Sequence, residues 1–346
     1  METALHNILE RVRAAAADAT PLRLCGGGSK DFHGLALEGT PLELRPLRGI
    51  ISYEPTELVV TARAGTPLQE LQATLAQAGQ ALAFEPPHFA LGDKQPTVGG
   101  MVAAGWSGPA RASSGAVRDF VLGVEIINGR GELLRYGGQV MKNVAGYDVS
   151  RLMAGSWGTL GVITEVSLKV LPVAPAQATL VFAMDEAQAL EALNRWGGQP
   201  LPLNASCWAQ GQLWLRLCGA QAAVQAACQK LGGERLPDDQ AAALWHSLRE
   251  QQHPWFAARS DADALWRLSL PQTAAPLALP EGIAAPLIEW HGAQRWVQAP
   301  RTMASAITAA AQAAGGSATI FRAERADQLS NWPIFNPQSA TLQAVH

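Results

Sequence analysis

Two glycine-rich blocks between Gln95 and Pro172 constrain the fold of this chain more than any other feature. The first reads Pro-Thr-Val-Gly-Gly-Met-Val-Ala-Ala-Gly over residues 96–105, and the second reads Gly-Ser-Trp-Gly-Thr-Leu-Gly-Val-Ile-Thr over residues 155–164. Glycine has no Cβ, so such blocks let backbone amides approach a bulky group, and amides suit a phosphate. Together the blocks predict a binding site for a phosphorylated ligand, although any single glycine pair is more typical of a tight turn.

A third glycine run lies near the N-terminus. The short apolar stretch Pro21 to Cys25 predicts a strand, and it leads directly into Gly26-Gly27-Gly28-Ser29-Lys30. Free amides, a hydroxyl and an ammonium at one corner suit a pyrophosphate. The spacing is not that of a GxxxxGK[ST] loop, and no GxGxxG follows a strand here, which argues against a nucleotide triphosphatase or a Rossmann dinucleotide site. Alone, a loop of this composition is also typical of linkers and turns.

The distribution of residues indicates two domains. Of 33 glycines, 23 precede Pro172, whereas nine of the 11 tryptophans follow it. A length of 346 residues is also greater than that of most domains with a single hydrophobic core. The proline-containing segment Leu171 to Ala176 is the natural boundary, so we predict domains at 1–172 and 173–346.

Bulk properties restrict the function classes. A net charge of −3 gives no indication of nucleic acid or an anionic membrane surface. The four cysteines are too widely spaced for a metal knuckle or an iron–sulfur run, so we expect no metal and reduced thiols in a cytoplasmic protein. The N-terminal 20 residues predict an amphipathic helix rather than a signal peptide, and no run of 18 apolar residues occurs, so any membrane association is expected through a partner.

Periodicity predicts an α+β protein. In the first half the predicted elements are strands at 50–53 and 58–62, a helix at 67–76 capped by Thr66, a hairpin from Phe120 to Tyr136 around Asn128-Gly129, a helix at 148–153 and a strand at 162–170. In the second half they are strands at 179–183, 205–209, 212–218, 265–270, 293–298 and 318–322, with helices at 185–196, 220–231 and 304–314. The order strand, helix, strand, strand, helix after the boundary resembles a split βαβ, ferredoxin-like sheet.

The glycine blocks, taken with Lys-Asn-Val-Ala-Gly-Tyr-Asp at 142–148, resemble the two-subdomain FAD-binding domain of the p-cresol methylhydroxylase and vanillyl-alcohol oxidase flavoprotein family (PCMH type). The match covers roughly residues 20 to 172. The whole chain, including Glu-Trp-His-Gly-Ala-Gln-Arg-Trp at 289–296, is most similar to FAD-binding subunits of bacterial glycolate oxidases.

This resemblance implies a bound FAD with its pyrophosphate on the loop from Gly26 to Lys30 and on the stretch from Thr97 to Gly105. The implied cofactor-binding residues are Gly26, Gly27, Gly28, Ser29, Lys30, Pro87, Thr97, Val98, Gly99, Gly100, Ala103, Gly105, Gly108, Arg111, Gly158, Thr159, Gly161, Val162 and Ile163. Relatives that tether flavin covalently carry a histidine in or just after the glycine loop. Here Ser29 and Lys30 take that place and His33 comes later, so we predict non-covalent FAD.

Candidates for groups near the flavin ring or a substrate carboxylate are Lys142, Tyr147 and Arg295, because arginine suits bidentate carboxylate binding. Each is otherwise a surface or packing residue. For Trp290 and Trp296 we favour core packing over stacking on flavin. Trp245, Trp255 and Trp266 are expected on a surface that contacts a partner.

The resemblance implies a flavin subunit of a heteromeric glycolate (2-hydroxy acid) oxidase that passes electrons through partners to a quinone. The seven histidines are scattered, so we expect a larger FAD-linked catalytic subunit and an iron–sulfur subunit as partners, with any place at the inner face of the membrane reached through the complex. Two alternatives remain open: a non-redox flavoprotein that supports a catalytic partner, and a stand-alone FAD-dependent oxidase of an alcohol or hydroxy acid.

Overall fold

The computed structural model describes residues 2–34, 38–138 and 148–323 of the chain. They divide into two compact units. The first unit runs to Val173, and the second begins at Ala174. Phe32 and His33 belong to the second unit, although they lie far ahead of it in the sequence. The mixed helix and strand content confirms the α+β prediction.

The described residues of the first unit form six helices and nine strands. Its helices are α1 Glu2–Ala17, α2 Leu68–Gln77, α3 Val98–Ala104, α4 Arg111–Ser114, α5 Val117–Phe120 and α6 Val149–Leu152. Its strands are β1 Leu22–Cys25, β2 Thr40–Glu43, β3 Ile50–Glu54, β4 Val59–Arg63, β5 Gln80–Ala81, β6 Val121–Ile127, β7 Leu133–Gly137, β8 Val162–Lys169 and β9 Leu171–Pro172.

An antiparallel sheet of five strands, in the order β3-β4-β8-β6-β7, forms the frame of this unit. Every residue of β6 is buried, as expected for a strand covered on both faces. The core against it includes Leu68, Leu71 and Leu75 of α2, which recur at helical spacing, and Val98 and Met101 of α3. The packing of α2 and α3 on the sheet therefore holds the first glycine block in place.

One local prediction in this unit was wrong, and another is confirmed. Thr66 does not cap α2: its hydroxyl bonds the backbone of Gly49, and Pro67 stands at the N-cap without a side-chain bond. The predicted hairpin with its turn at residues 128–131 is confirmed: β6 pairs antiparallel with β7, the amide of Gly131 donates to the carbonyl of Asn128, and Gly131 has the positive φ of 71°.

The second unit is built on an antiparallel sheet of eight strands. Its strands are β10 Ala176–Ala183, β11 Leu203–Ala209, β12 Gln212–Gly219, β13 Glu234–Arg235, β14 Asp263–Ser269, β15 Leu287–Glu289, β16 Gln294–Pro300 and β17 Ser317–Arg322. Its helices are α7 Glu186–Gly197, α8 Gln221–Leu231, α9 Asp238–Arg249, α10 Pro254–Ala257 and α11 Ala304–Ala313. The strand order is β13-β10-β12-β11-β15-β16-β14-β17. Helices α7 and α8 pack on β10, β12 and β11, and α11 packs on β14, β16 and β17.

The tryptophans of this unit are part of its core. Trp245, Trp255 and Trp266 are at most 5% exposed, and each indole N–H donates inside the unit: to Thr179 Oγ1, to the Ala285 carbonyl and to the Ala299 carbonyl. The prediction that they form a contact surface was wrong, because satisfied and buried indoles offer nothing to a partner. Core packing of Trp290 and Trp296 is confirmed, since both are 5% exposed.

Phe32 and His33 are bound to the last strand of the sheet. The His33 imidazole Nδ1 lies 3.0 Å from the carbonyl oxygen of Phe321. The Arg322 guanidinium carbon lies 3.8 Å above the centre of the Phe32 ring, a cation–π contact. Since the carbonyl can only accept, Nδ1 carries the proton in this hydrogen bond. The segment that follows the N-terminal glycine loop is thus a structural part of the second unit.

Candidate functional site

The loop from Gly26 to Lys30 follows directly on β1, which pairs in parallel with β2. The Cys25 carbonyl still accepts a hydrogen bond from the Leu44 amide, but the ladder ends there. Within the described ranges, the four successive amides of Gly26, Gly27, Gly28 and Ser29 donate no hydrogen bond. A run of open amides after a strand is a ready anion site.

Two polar side chains complete this loop. Ser29 and Lys30 are only 7% and 9% exposed, and the Lys30 ammonium lies 3.2 Å from the Ser29 hydroxyl oxygen. A cation held at low exposure beside open amides is suited to a phosphate oxygen.

The first glycine block lies against this loop. A Cβ built on Gly27 would lie 1.4 Å from the Gln95 carbonyl oxygen, and one on Gly26 would lie 2.9 Å from Thr97 Oγ1. Side chains at these two positions are therefore excluded by the approach of residues 95–97. The structure thus brings together two of the stretches that the sequence predicts for one ligand.

The amides at the start of α3 have protein partners. The Val98 amide donates to the Thr66 carbonyl, the Gly99 amide to the Ala64 carbonyl, and the Gly100 amide to Thr97 Oγ1 at 3.2 Å. A Cβ on Gly99 would lie 2.6 Å from the Ala64 Cβ. Close packing therefore accounts for a glycine at position 99. Open amides are therefore found at the N-terminal loop rather than at α3, and a ligand contact from Thr97 to Gly105 stays a prediction.

The second glycine block runs along the far half of α3. The Gly155 amide donates to the Val102 carbonyl at 3.0 Å, and the Trp157 amide donates to the Ala103 carbonyl at 2.9 Å. A Cβ on Gly158 would lie 2.9 Å from Leu24 Cδ1, so this block also reaches β1. All three glycine stretches therefore converge within the first unit.

The other predicted cofactor residues are distributed around this convergence. Gly105 ends α3 with φ of 65°, and Gly161 has φ of 140° with a Cβ position 2.8 Å from the Ile127 carbonyl oxygen. Val162 and Ile163 begin β8, Pro87 and Gly108 are buried, and Arg111 is exposed at the start of α4. Their contact with a cofactor stays a prediction.

Of the three predicted catalytic residues, the structure describes only Arg295. Lys142 and Tyr147 lie outside the described residues. Arg295 is fully buried in the second unit; its guanidinium donates to the carbonyls of Ala274 and Ala275 and lies 3.7 Å from Glu186. Burial lowers the pKa of Arg295 and raises that of Glu186. These contacts indicate that Arg295 stabilises the second unit, and they do not support the prediction that it is catalytic.

The residues present fit an extended dinucleotide such as FAD. Such a ligand needs close backbone approach at more than one place, and the glycines of the first unit supply it where a Cβ would collide. Its pyrophosphate needs donors, which the open amides and Lys30 supply. Within the described residues, no group of three or more His, Cys, Asp or Glu side chains could hold a metal ion.

Comparison with known proteins agrees with this chemistry. Residues 5–137 match the family model of an FAD binding domain. The glycolate oxidase subunit GlcE of Escherichia coli (strain K12) is 48% identical over 339 residues, which span 98% of this chain and 91% of the relative. The glycolate oxidase subunit GlcD of Bacillus subtilis (strain 168) is 31% identical over 158 residues, 46% of this chain and 32% of that relative.

Solved structures show the same fold. An alkyldihydroxyacetonephosphate synthase superposes with a TM-score of 0.62 at 16% identity, covering 90% of this chain and 70% of that one. The fold is accordingly of the PCMH type.

The chain is therefore an FAD-binding flavoprotein of the oxidoreductase class. It belongs to the family of the glycolate oxidase subunit GlcE. None of its described helices has the length and apolar character needed to span a bilayer.

Proposed function

We propose that this chain is the FAD-binding subunit of a heteromeric glycolate (2-hydroxy acid) oxidase. Electrons pass from the substrate through flavin to partner subunits and on to a quinone-type acceptor. The observation that carries the proposal is the match to a glycolate oxidase subunit along 98% of the chain, together with the four open amides in its N-terminal glycine loop.

The chain's own residues bind and orient the cofactor in this proposal. The amides from Gly26 to Ser29 donate to the pyrophosphate, and the Lys30 ammonium offsets its charge. When bound, FAD supplies the acceptor for the electrons that leave the substrate. Lys142 and Tyr147 are proposed to lie near the flavin ring or the substrate carboxylate.

The partners we propose are a larger FAD-linked subunit and an iron–sulfur subunit. The name of the relative GlcD, a second glycolate oxidase subunit, supports a multi-subunit enzyme. We further propose a cytoplasmic complex that reaches the inner face of the membrane through these partners.

Acid should release all of the FAD from the purified chain. No histidine occurs from Gly26 to Lys30, and the imidazole of His33 is hydrogen-bonded to Phe321 in the second unit, so the loop offers no imidazole for a covalent bond. The measurement is the flavin absorbance of supernatant and pellet after trichloroacetic acid precipitation, with a covalently flavinylated protein treated in parallel. A yellow pellet would contradict non-covalent binding, and a purified chain without FAD would contradict the proposed function.

Replacing Lys30 by Met should weaken FAD binding about 30-fold, because a hydrogen bond to a charged group contributes on the order of 2 kcal/mol. Lys94→Met is the matched control: the Lys94 side chain is 55% exposed, and its ammonium pairs with Asp31 at 3.3 Å. The dissociation constant is measured by quenching of flavin fluorescence on titrating apoprotein. Equal affinities of the two variants would remove Lys30 from the site, and Lys30→Arg should recover part of the loss.

A further inference from the structure

The N-terminal glycine loop is held at its two ends by different units. Ahead of the loop, β1 pairs with β2 in the first unit. Behind the loop, Phe32 and His33 belong to the second unit, and only Asp31 separates them from Lys30. Consecutive Cα atoms lie about 3.8 Å apart, so Lys30 stays close to wherever Phe32 is held. The position of the last loop residue therefore depends on a contact made in the second unit.

Several contacts hold Phe32 and His33 on β17. The Nδ1 of His33 donates to the Phe321 carbonyl over 3.0 Å, and the centres of these two side-chain rings are 5.4 Å apart. The centre of the Phe32 ring lies 5.9 Å from that of Phe321, and the Arg322 guanidinium carbon lies 3.8 Å above the Phe32 ring. A hydrogen bond, aromatic packing and a cation–π contact together disfavour detachment. We call Phe32 and His33, bound in this way, the anchor.

The anchor shortens the stretch of chain that a bound phosphate must order. With the anchor in place, about six residues, 26–31, lie between held points. Without it, the next backbone hydrogen bond within the described ranges is that of the Thr40 amide to the Pro21 carbonyl, so the stretch grows to about 14 residues, 26–39. The probability that a loop closes falls roughly as the −3/2 power of its length. Detachment therefore makes the ordered loop about 3.5-fold less probable.

We propose that Phe32 and His33 are positioning residues for the glycine loop, through which the second unit strengthens FAD binding in the first. The inference rests on the FAD-binding part of the proposed function, and neither residue needs to touch the cofactor. A loop that is ordered in advance loses less entropy when it binds its ligand. Coupling between two equilibria is reciprocal, so bound FAD should make detachment of the anchor rarer by the same factor of about 3.5.

The first test is the double variant Phe32→Ala/His33→Ala in the full chain. We expect its FAD dissociation constant to be about 3.5-fold higher than that of the wild type, because the glycine loop is no longer held at its second end. Quenching of flavin fluorescence on titrating apoprotein measures both constants. His33→Asn keeps Phe32 and a side-chain N–H near the position of Nδ1, so it should bind FAD as the wild type does. Wild-type affinity in the double variant would overturn the inference.

Trp266→Phe is the control for general destabilisation of the second unit. The Trp266 indole N–H donates to the Ala299 carbonyl over 3.1 Å, so this variant also removes a bond from a side-chain N–H to a backbone carbonyl. It should lower the urea midpoint of the second unit and leave FAD affinity unchanged. If Trp266→Phe weakened FAD binding as much as the double variant does, loss of stability alone would explain both results, and the inference would fail.

Hydrogen exchange of β17 tests the reciprocal effect. Among the described strands, β17 is the last in its sheet and pairs only with β14, so detachment of the anchor should leave its outer edge open to solvent. We expect FAD to slow exchange in residues 317–322 about 3.5-fold in the wild type and to leave it unchanged in Phe32→Ala/His33→Ala. No effect of FAD on this strand in the wild type, or an equal effect in the variant, would contradict the coupling.

The wild-type titration separates failure of this inference from failure of the proposed function. If the wild-type chain binds FAD and Phe32→Ala/His33→Ala binds it equally well, only the role of the anchor is refuted. If the wild-type chain binds no FAD, the proposed function itself fails.

Discussion

Glycolate oxidation by the isolated chain should be at least about 100-fold slower than by the same chain co-expressed with a larger FAD-linked subunit and an iron–sulfur subunit. Positioned general acids and bases contribute about 10²- to 10⁴-fold to such reactions. The described residues hold no cluster of three or more His, Cys, Asp or Glu side chains that could bind a metal, and the guanidinium of Arg295 is engaged by backbone carbonyls and Glu186. The four cysteines are too dispersed for an iron–sulfur run.

The measurement is glycolate-dependent reduction of a dye acceptor, together with bleaching of the flavin absorbance under anaerobic conditions. A complex assembled with Lys30→Met, and saturated with FAD, serves as the control for cofactor loading. Rapid bleaching by glycolate in the pure chain would make it an oxidase in its own right. Full activity of a complex whose copy of this chain never becomes reduced would favour a supporting, non-redox role.

Acidification from pH 6.5 to pH 4 should destabilise the second unit by about 3 kcal/mol through His291 alone. Burial lowers the pKa of His291 from 6.5 to about 4. The unfolded chain binds this proton near pH 6.5, whereas the folded chain excludes it until about pH 4. Between these values the unfolded state binds more protons, so stability falls as pH falls, and below pH 4 this contribution no longer changes. Burial also lowers the pKa values of His33 and His253, which add to the effect.

Urea unfolding followed by tryptophan fluorescence at pH 7 and pH 4 measures this effect, because nine of the 11 tryptophans follow Pro172. His291→Asn should reduce the stability difference between the two pH values by about 3 kcal/mol. Asparagine is chosen because it tolerates the positive φ of 55° at this position. His6→Asn on the exposed face of α1 is the control and should leave the difference unchanged. The same difference in wild type and His291→Asn would refute the assignment.

Much of the fold could be predicted because its elements have local signatures. The order from β10 to α8 follows from alternating and helical periods, and these helices and strands lie within a few residues of the predicted bounds. Helix α9 was not predicted, although Ala241, Trp245 and Leu248 are spaced to form one buried face. Burial of the tryptophans could not be derived, since the partner of Trp245 is Thr179, 66 residues away.

In the candidate site too, features set by neighbouring residues could be predicted, whereas features set by contacts distant in sequence could not. Glycine spacing predicted which stretches approach one another. It could not predict which amides remain open, because the acceptors for Val98 and Gly99 are carbonyls of Thr66 and Ala64 on another segment.

The attachment of Phe32 and His33 to β17 affects how this protein can be divided for experiments. A fragment that starts at Ala174 retains all eight strands of the second sheet, yet it lacks the imidazole that bonds the Phe321 carbonyl and the ring beneath Arg322. Such a fragment exposes an aromatic edge that the intact chain covers. A peptide carrying Phe32 and His33, supplied in trans or fused ahead of Ala174, replaces what the cut removes.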